Sequence, residues 1–560
     1  MMHPFRNIAL ILVLLCVAQL PLSVLASTLP AAGIATAHPA ATEAGHEILA
    51  AGGNAFDAAV AISASLAVVE PMSSGLGGGG FWLLHREKDN FDTMIDGREK
   101  APNAAHRDMY LDKEGNVIPD LSITGPLSAA IPGLPAAIVH LSKKYGRLSL
   151  KASLQPAIRQ ARNGFKVNEH YQRMAGFRLE ALRKSPAAAA VFLKNNDIPD
   201  IGSIIKQPDL AATLELLAEK GAAGFYKGNV AEKLVKGVRA AQGQWTMADL
   251  ENYKIIERKP IRGEYHGIRI TSAAPPSSGG IALMTILNIL SGHDLKPLDD
   301  IQRKHLIVES MRRAYRDRAI YLGDPDFVKI PTATLISQPY AAGLSASIRL
   351  DKAMPSKWLP GVADTSNGQD TSHFSVIDKN GNRVAATLTI NYPFGSCFVA
   401  PGTGVLLNDE MDDFSSKPGT PNAYGLVGAE ANAIEPGKRP LSSMSPTFLE
   451  SDRGIAVLGT PGGSRIITMV LLAILDYANG GTANSMVALP RFHHQFLPDT
   501  LFYEKAAFTD IQIKGLQTLG HQLKALDSSY GNMQVVVWDK QNKHVSAASD
   551  PRVSGAAQVR

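Results

Sequence analysis

The segment from Thr371 to Asn391, TSHFSVIDKNGNRVAATLTIN, constrains this chain more than any other. Two runs of alternating residues flank Asn380-Gly381, and that combination is a strong short-range signal for a β-hairpin. Two registers are open. If Lys379-Asn380-Gly381 form a three-residue loop with Gly381 left-handed, Thr371 stands directly across from Thr389, and Asn391 reaches just beyond the strand. A two-residue loop shifts the pairing by one and turns the other face inward. Upstream, the polar stretch Met354 to Asp370 has no periodicity and reads as an exposed loop. A threonine heading a strand straight after such a loop becomes a nucleophile if the chain is cut before it. The new α-amine, with an ordinary pKa of about 8, then sits on the same residue as Oγ1 and can take its proton. An isolated strand threonine would carry no such meaning; the surrounding sequence decides.

At 560 residues, 45% hydrophobic and 19% charged, the chain has the make-up of a folded protein with a large core. Met1 to Asn7 carries one positive charge, Arg6, and Ile8 to Ala18 is an apolar run too short to span a bilayer comfortably. Val24 and Ala26 stand where small residues precede a signal-peptidase cut, so residues 1–26 read as a removed signal peptide. Export is expected, to the periplasm first and the medium second, with no stable membrane span in the mature protein. Cys16 falls within the signal, leaving Cys397 as a lone thiol among apolar neighbours, a small buried hydrophobe rather than a nucleophile. A net charge of +5 spread over this length leaves no nucleic-acid footprint. The 15 histidines show no metal-ligand spacing, and His493-His494 read as structural. No metal or cofactor is expected.

The remaining organisation is a sheet with helices packed on it. Small and apolar residues from Ala41 to Val69 recur at helical spacing for two helices, ending at Pro71 and the loop SSGLGGGG, Ser73 to Gly80. That loop lacks the lysine and serine or threonine of a phosphate loop, which excludes nucleotide binding on this motif. FWLLHR and DTMIDG read as strands, Gly133 to Gly243 as mostly helical, and 260–275 as strand again. PPSSGG, Pro275 to Gly280, then precedes a helical stretch through Tyr321.

Several ordered blocks resemble the γ-glutamyltransferase family. Thr371-Ser372-His373-Phe374-Ser375-Val376 matches the start of that family's catalytic subunit. GVLLNDEMDDFSSKPG (Gly404 to Gly419), KRPLSSMSPT and GTPGGSRII follow in order. GLGGGGF and DGREKAP upstream, and SDPRVSGAA near the C-terminus, are similar to family motifs too. The resemblance implies an α+β fold, the four-layer αββα sandwich of N-terminal nucleophile hydrolases. One precursor would be divided into a signal peptide (1–26), a large subunit (27–370) and a small catalytic subunit (371–560), the two subunits interlocked in one fold.

Carried over residue by residue, the resemblance implies autocatalytic cleavage between Asp370 and Thr371. Thr371 Oγ1 would then attack the γ-glutamyl carbonyl, oriented by Thr389, with the Gly462 and Gly463 amides as an oxyanion hole. Arg98, Ser442 and Ser443 would clamp the donor's α-carboxylate. Asn391, Glu410 and Asp413 would bind its α-ammonium; some bacterial members carry glutamine where Glu410 stands. Lys417 to Asn432 lies where part of the family has a lid, with Tyr424 as its aromatic residue. The implied donors are glutathione and other γ-glutamyl compounds, and the implied acceptors water, amino acids or dipeptides. An acylase acting on glutaryl-type side chains is the nearest rival, and it needs no ammonium site. A catalytically silent relative is the rival from another class, and the joint presence of Thr371, Thr389, Gly462, Gly463 and Arg98 argues against it.

Overall fold

Alternation along single strands decides the layering. Strand β2 (Gly79–Arg86) sends Phe81 and Leu83 into one apolar core and Trp82 and Leu84 into another, all of them buried. A strand buried on both faces has no room for a polar side, which is why GGFWLLHR reads as a nearly continuous apolar run. The computed structural model describes residues 28–359, 371–419 and 428–560. The expected signal peptide, Asp370 and Tyr424 lie outside the described residues.

β2 belongs to a seven-stranded sheet with β1 (Gly33–Thr36), β3 (Phe91–Gly97), β4 (Ile256–Arg258), β7 (Ser372–Ile377), β8 (Arg383–Thr389) and β13 (Ala556–Val559), in the order β13-β1-β7-β8-β2-β3-β4. A six-stranded sheet contains β5 (Ile261–Tyr265), β6 (Ile268–Ser272), β9 (Thr447–Ser451), β10 (Gly454–Gly459), β11 (Gln534–Asp539) and β12 (His544–Ser549), in the order β12-β11-β10-β9-β6-β5. The two sheets face each other across Phe81, Leu83 and Ala385 on one side and Phe448, Val457 and Val536 on the other. Each sheet draws strands from both sides of position 371, so neither side completes a sheet alone.

Helices cover both outer faces. α1 (Pro39–Ala50), α2 (Ala55–Val69), α3 (Leu134–Tyr145) and α4 (Leu150–Asn163) pack on the first sheet. α5 (Gly279–Ser291), α6 (Asp300–Tyr321) and α7 (Ile466–Ala478) pack on the second. The result is the four-layer αββα arrangement. α2 starts at a full capping box, Asn54 accepting from the Asp57 amide while Asp57 accepts from the Asn54 amide. It is buried all round, which explains its Ala- and Val-rich sequence.

The expected loop from Met354 is only partly a loop. Ser356–Trp358 forms a short 3-10 turn; the Ser356 amide donates to Asp499 Oδ2 at 2.7 Å and its hydroxyl to Phe496 O at 2.6 Å. Both partners are distant in sequence, so a local reading of polarity could not find them. Residues 360–370, the rest of that segment, lie outside the described residues. Among the described residues no helix is long and apolar enough to cross a membrane.

Candidate active site

The hairpin register is the first determinant. Ser372 pairs with Leu388 and Ile377 with Arg383, so one further step along the ladder sets Thr371 across from Thr389. This is the three-residue-loop register, with Gly381 at φ 83°. Asp378 holds the turn, its Oδ1 accepting from the amides of Asn380 at 2.9 Å and Asn382 at 3.0 Å. Its other oxygen accepts from the Ala55 amide at the start of α2 at 3.0 Å, fastening the turn to the outer helix layer.

The glycine-rich loop before β2 serves the same strand. A Cβ on Gly78 would collide with the carbonyl of Thr389, and one on Gly77 with the carbonyl of Leu406. These glycines let two backbones pack against each other beside Thr389; no ligand is needed to explain them. Beyond Thr389 the chain turns sharply through Asn391, at φ 72°, and its amide donates to Thr389 Oγ1 at 2.7 Å.

His373, two residues from Thr371 and on the same face of the strand, is engaged by other side chains. It is fully buried with Nδ1 2.8 Å from Thr387 Oγ1 and Nε2 3.2 Å from Ser375 Oγ. Burial pushes its pKa down to about 3, so it is a neutral structural side chain.

Thr371 is itself buried and stands between two cavities. The smaller, of about 20 Å³, is bordered by Thr371, Thr389 and Asn391 from the hairpin. Arg98, Asp413, Ser442, Ser443 and Gly463 complete that wall, together with Arg318, which sequence reasoning did not single out. The larger, of about 370 Å³, is bordered by Thr371 and Gly462 together with His170, Arg173, Tyr530 and Arg552.

Gly462 and Gly463 lie at φ 136° and 55°, values that favour glycine, just ahead of α7. Among the described residues neither amide donates a hydrogen bond to the protein. Two unsatisfied amides near a helix N-terminus, with Thr371 on the same walls, can stabilise negative charge developing on a carbonyl oxygen.

The residues that the resemblance assigns to the carboxylate and to the ammonium form one buried cluster: Arg98 donates from Nη1 to Glu410 and from Nη2 to Asp413. Glu99 Oε2 lies 3.4 Å from Arg98 Nη1. A lone buried ion is costly, so opposite charges buried this close compensate one another. Burial disfavours the Arg98 cation, but Glu410, Asp413 and Glu99 outweigh it and hold the guanidinium more firmly charged than usual. Burial pushes Glu99 up to about 7 against the pull of Arg98, and raises Glu410 well above the carboxylate range. Glu410 stands behind Arg98 rather than on the cavity wall, and among the described residues its Oε1 has no hydrogen-bond partner. Glu99 was also missed by sequence reasoning, although its place beside Arg98 in DGREKAP was the available signal.

Cys397 is buried and accepts from Arg178 Nε at 3.3 Å; burial pushes its thiol up to about 11, as befits an inert side chain. His493 lies 2.9 Å from Thr468 Oγ1 and 2.8 Å from Gln495 Oε1, a structural role. His305, Glu309 and His521 offer ligand atoms within 4.8 Å of one another. Within the group His305 Nδ1 lies 2.7 Å from His521 Nε2; outside it His305 Nε2 lies 2.7 Å from Arg349 O, and Glu309 pairs with Arg312 and Arg313.

The stacked sheets and a threonine at the head of an inner-layer strand define an N-terminal nucleophile hydrolase. A solved cephalosporin acylase from Bacillus halodurans covers 95% of this chain and 96% of its own, with TM-score 0.83 and 25% identity. A family model described as gamma-glutamyltranspeptidase matches residues 41–559, and the chain belongs to that family. A glutathione hydrolase proenzyme from Escherichia coli (strain K12) is 43% identical over 525 residues, covering 93% of this chain and 90% of the relative. One from Pseudomonas sp. (strain A14) is 44% identical over 494 residues, covering 87% and 86%. The gamma-glutamyltranspeptidase structure from Helicobacter pylori is 40% identical, covers 58% of this chain and 93% of its own, and has TM-score 0.57.

Proposed function

We propose that this protein is a γ-glutamyltransferase and glutathione hydrolase that matures by cutting itself before Thr371. The observation that carries the reading is the wall shared by Thr371, the Arg98–Asp413 pair and the Ser442-Ser443 hydroxyls around one small cavity. A γ-glutamyl group ends in a carboxylate and an ammonium on one carbon. Arg98 and the two serines suit the first; Asp413 and the Asn391 carbonyl or amide oxygen suit the second, with Glu410 behind Arg98 as a buried counter-charge. An acylase for glutaryl side chains has no use for the acidic half of that cluster, and this favours the γ-glutamyl reading.

The mechanism follows from the placement. Cleavage between Asp370 and Thr371 gives the large subunit (27–370) and the small one (371–560), held together by the shared sheets. The freed α-amine of Thr371 takes the proton from Oγ1 as that oxygen attacks the γ-carbonyl. The oxyanion forms towards the Gly462 and Gly463 amides, and Thr389 orients the nucleophile. The amine of the leaving group takes the proton and departs into the 370 Å³ cavity, which next admits water or the amine of an amino acid or dipeptide. Attack by that acceptor on the Thr371 ester restores the free hydroxyl. Tyr424, outside the described residues, would act as a lid limiting water at this stage. The signal-like Met1 to Ala26 supports export, most simply to a periplasm.

The test is release of p-nitroaniline from γ-glutamyl-p-nitroanilide by the purified protein, beside a denaturing gel. Two fragments and activity are expected. Two fragments without activity on this donor, but with activity on a glutaryl anilide, would move the assignment to the acylase.

A further inference from the structure

Arg318, near the C-terminal end of α6, enters the same small cavity wall as Ser442 and Ser443. It is buried, and among the described residues no carboxylate lies within 4.0 Å of it. The neighbouring buried arginines differ: Arg98 pairs with Glu410 and Asp413, and Arg439 Nε lies 3.5 Å from Asp96. Burial lowers the pKa of Arg318 to about 10, which still leaves it a cation at neutral pH. Its partners are two hydroxyls: Nε donates to Ser278 Oγ at 3.0 Å and Nη2 to Ser443 Oγ at 3.3 Å.

A hydroxyl has one hydrogen and two lone pairs, whereas a guanidinium only donates. Ser443 Oγ therefore accepts from Arg318, and its hydrogen cannot be returned there. No other acceptor for that hydrogen is present among the described residues. Ser278 shows the completed version of the pattern, accepting from Arg318 and donating to Ser442 O at 2.7 Å. Ser442 Oγ in turn accepts from the Met444 amide at 3.1 Å, so its hydrogen is likewise unused within the described protein. The PPSSGG segment completes the platform: Ser277 Oγ donates to Met444 O at 2.6 Å and the Ser278 amide to Ser442 O at 2.8 Å.

We propose that Arg318 is a positioning residue for the donor's α-carboxylate. It fixes Ser443 as a hydrogen-bond donor into the cavity and adds a cation beside Arg98. Arg98 shares its charge with Glu410 and Asp413 in direct ion pairs; Arg318 adds a second cation, on which Asp413 acts only from beyond ion-pair distance. The inference rests on the γ-glutamyl reading of the site.

The experiment compares wild type with Arg318→Gln, Arg318→Lys, Ser443→Ala and the Arg318→Gln/Ser443→Ala pair, using γ-glutamyl-p-nitroanilide as donor. Arg318→Gln is expected to raise KM about tenfold with kcat within about twofold, the scale of one hydrogen bond involving a charge. Lysine, which also only donates, should recover most of the loss. In the Ser443→Ala background the Arg318→Gln factor should shrink to about twofold, because the path through Ser443 is gone. The inhibition constant of L-glutamate should rise with KM, while that of 4-aminobutyrate, which lacks the α-carboxylate, stays unchanged. Equal weakening of both inhibitors, or an undiminished Arg318→Gln factor in the Ser443→Ala background, would overturn the proposal and leave Arg318 a structural tie. If Arg318→Gln does not mature, the lysine variant and the Ser443→Ala inhibitor pair still decide it. A wild type inert on the anilide would sink the γ-glutamyl reading itself; an active wild type with an unchanged Arg318→Gln KM would sink only the Arg318 proposal.

Discussion

The two cavities that meet at Thr371 are built on opposite principles. The smaller, about 20 Å³, is closed in by buried ions and hydroxyls whose partners are one another. The larger, about 370 Å³, is roomy, and its two arginines are neutralised or exposed: Arg552 pairs with Glu504 at 2.8 Å and Asp550 at 3.1 Å, and Arg173 is exposed. A tight wall of compensated charge rejects ligands that cannot replace the interactions they disturb, whereas an open, neutralised chamber tolerates variety. That division suits an enzyme with a fixed γ-glutamyl head on one side and varied amines on the other.

The largest expected effect falls on the residue both cavities share. Thr371→Ala should lower turnover by more than about 1,000-fold and leave a single uncut chain on a gel, with melting unchanged by more than a few degrees. Residual processing in that variant would place the nucleophile elsewhere. Next comes the tight side. Arg98→Ala leaves Glu410 and Asp413 buried without their cation, and kcat/KM for γ-glutamyl-p-nitroanilide should fall more than about 100-fold. A fall of under tenfold would mean the buried cluster is not the recognition element.

The pH response of stability sharpens the same contrast. Glu99 has its folded pKa raised to about 7 by burial against the pull of Arg98, above its ordinary value of 4.5. A carboxyl raised in this way contributes its stability below the unfolded pKa and loses it as pH rises through the folded one. Between pH 4.5 and about 7, Glu99→Gln should therefore gain on wild type by on the order of 1 kcal/mol per pH unit, measured by urea unfolding. A pH-independent difference would show that Glu99 stays ionised throughout. The smallest effect belongs to the roomy side. Arg173→Ala should leave the anilide assay unchanged and raise KM for glutathione only about twofold, as for other exposed charges. A tenfold rise would make this chamber as selective as the other.

Much of the site was legible in sequence because it is local. The Asn380-Gly381 turn and the alternation around it restricted Thr371 and Thr389 to two registers, and the glycines of GLGGGG and TPGGSR marked close backbone approach or left-handed turns. What stayed illegible depended on contacts between distant segments. The register itself was settled by Asp378, whose carboxylate links the turn to the Ala55 amide of α2. Polarity alone made Met354 to Asp370 look exposed, yet Asp499 and Phe496 hold Ser356 from far along the chain. Arg318 sits among Arg303, Arg312, Arg313 and Arg316, and composition does not say which of five arginines on one helix faces a cavity.

By itself, then, the sequence determined the elements and the kinds of residue available: a hairpin headed by threonine, glycines where backbones crowd, one arginine and three acids within two short motifs. The tertiary structure decided which charges meet. Glu99, Glu410 and Asp413 converge on Arg98, while Arg318 is left with two hydroxyls, because electrostatic pairing in a buried site depends on distances of a few ångströms between segments some 300 residues apart. Backbone conformation is written in neighbouring residues; buried charge is balanced only when the layers close.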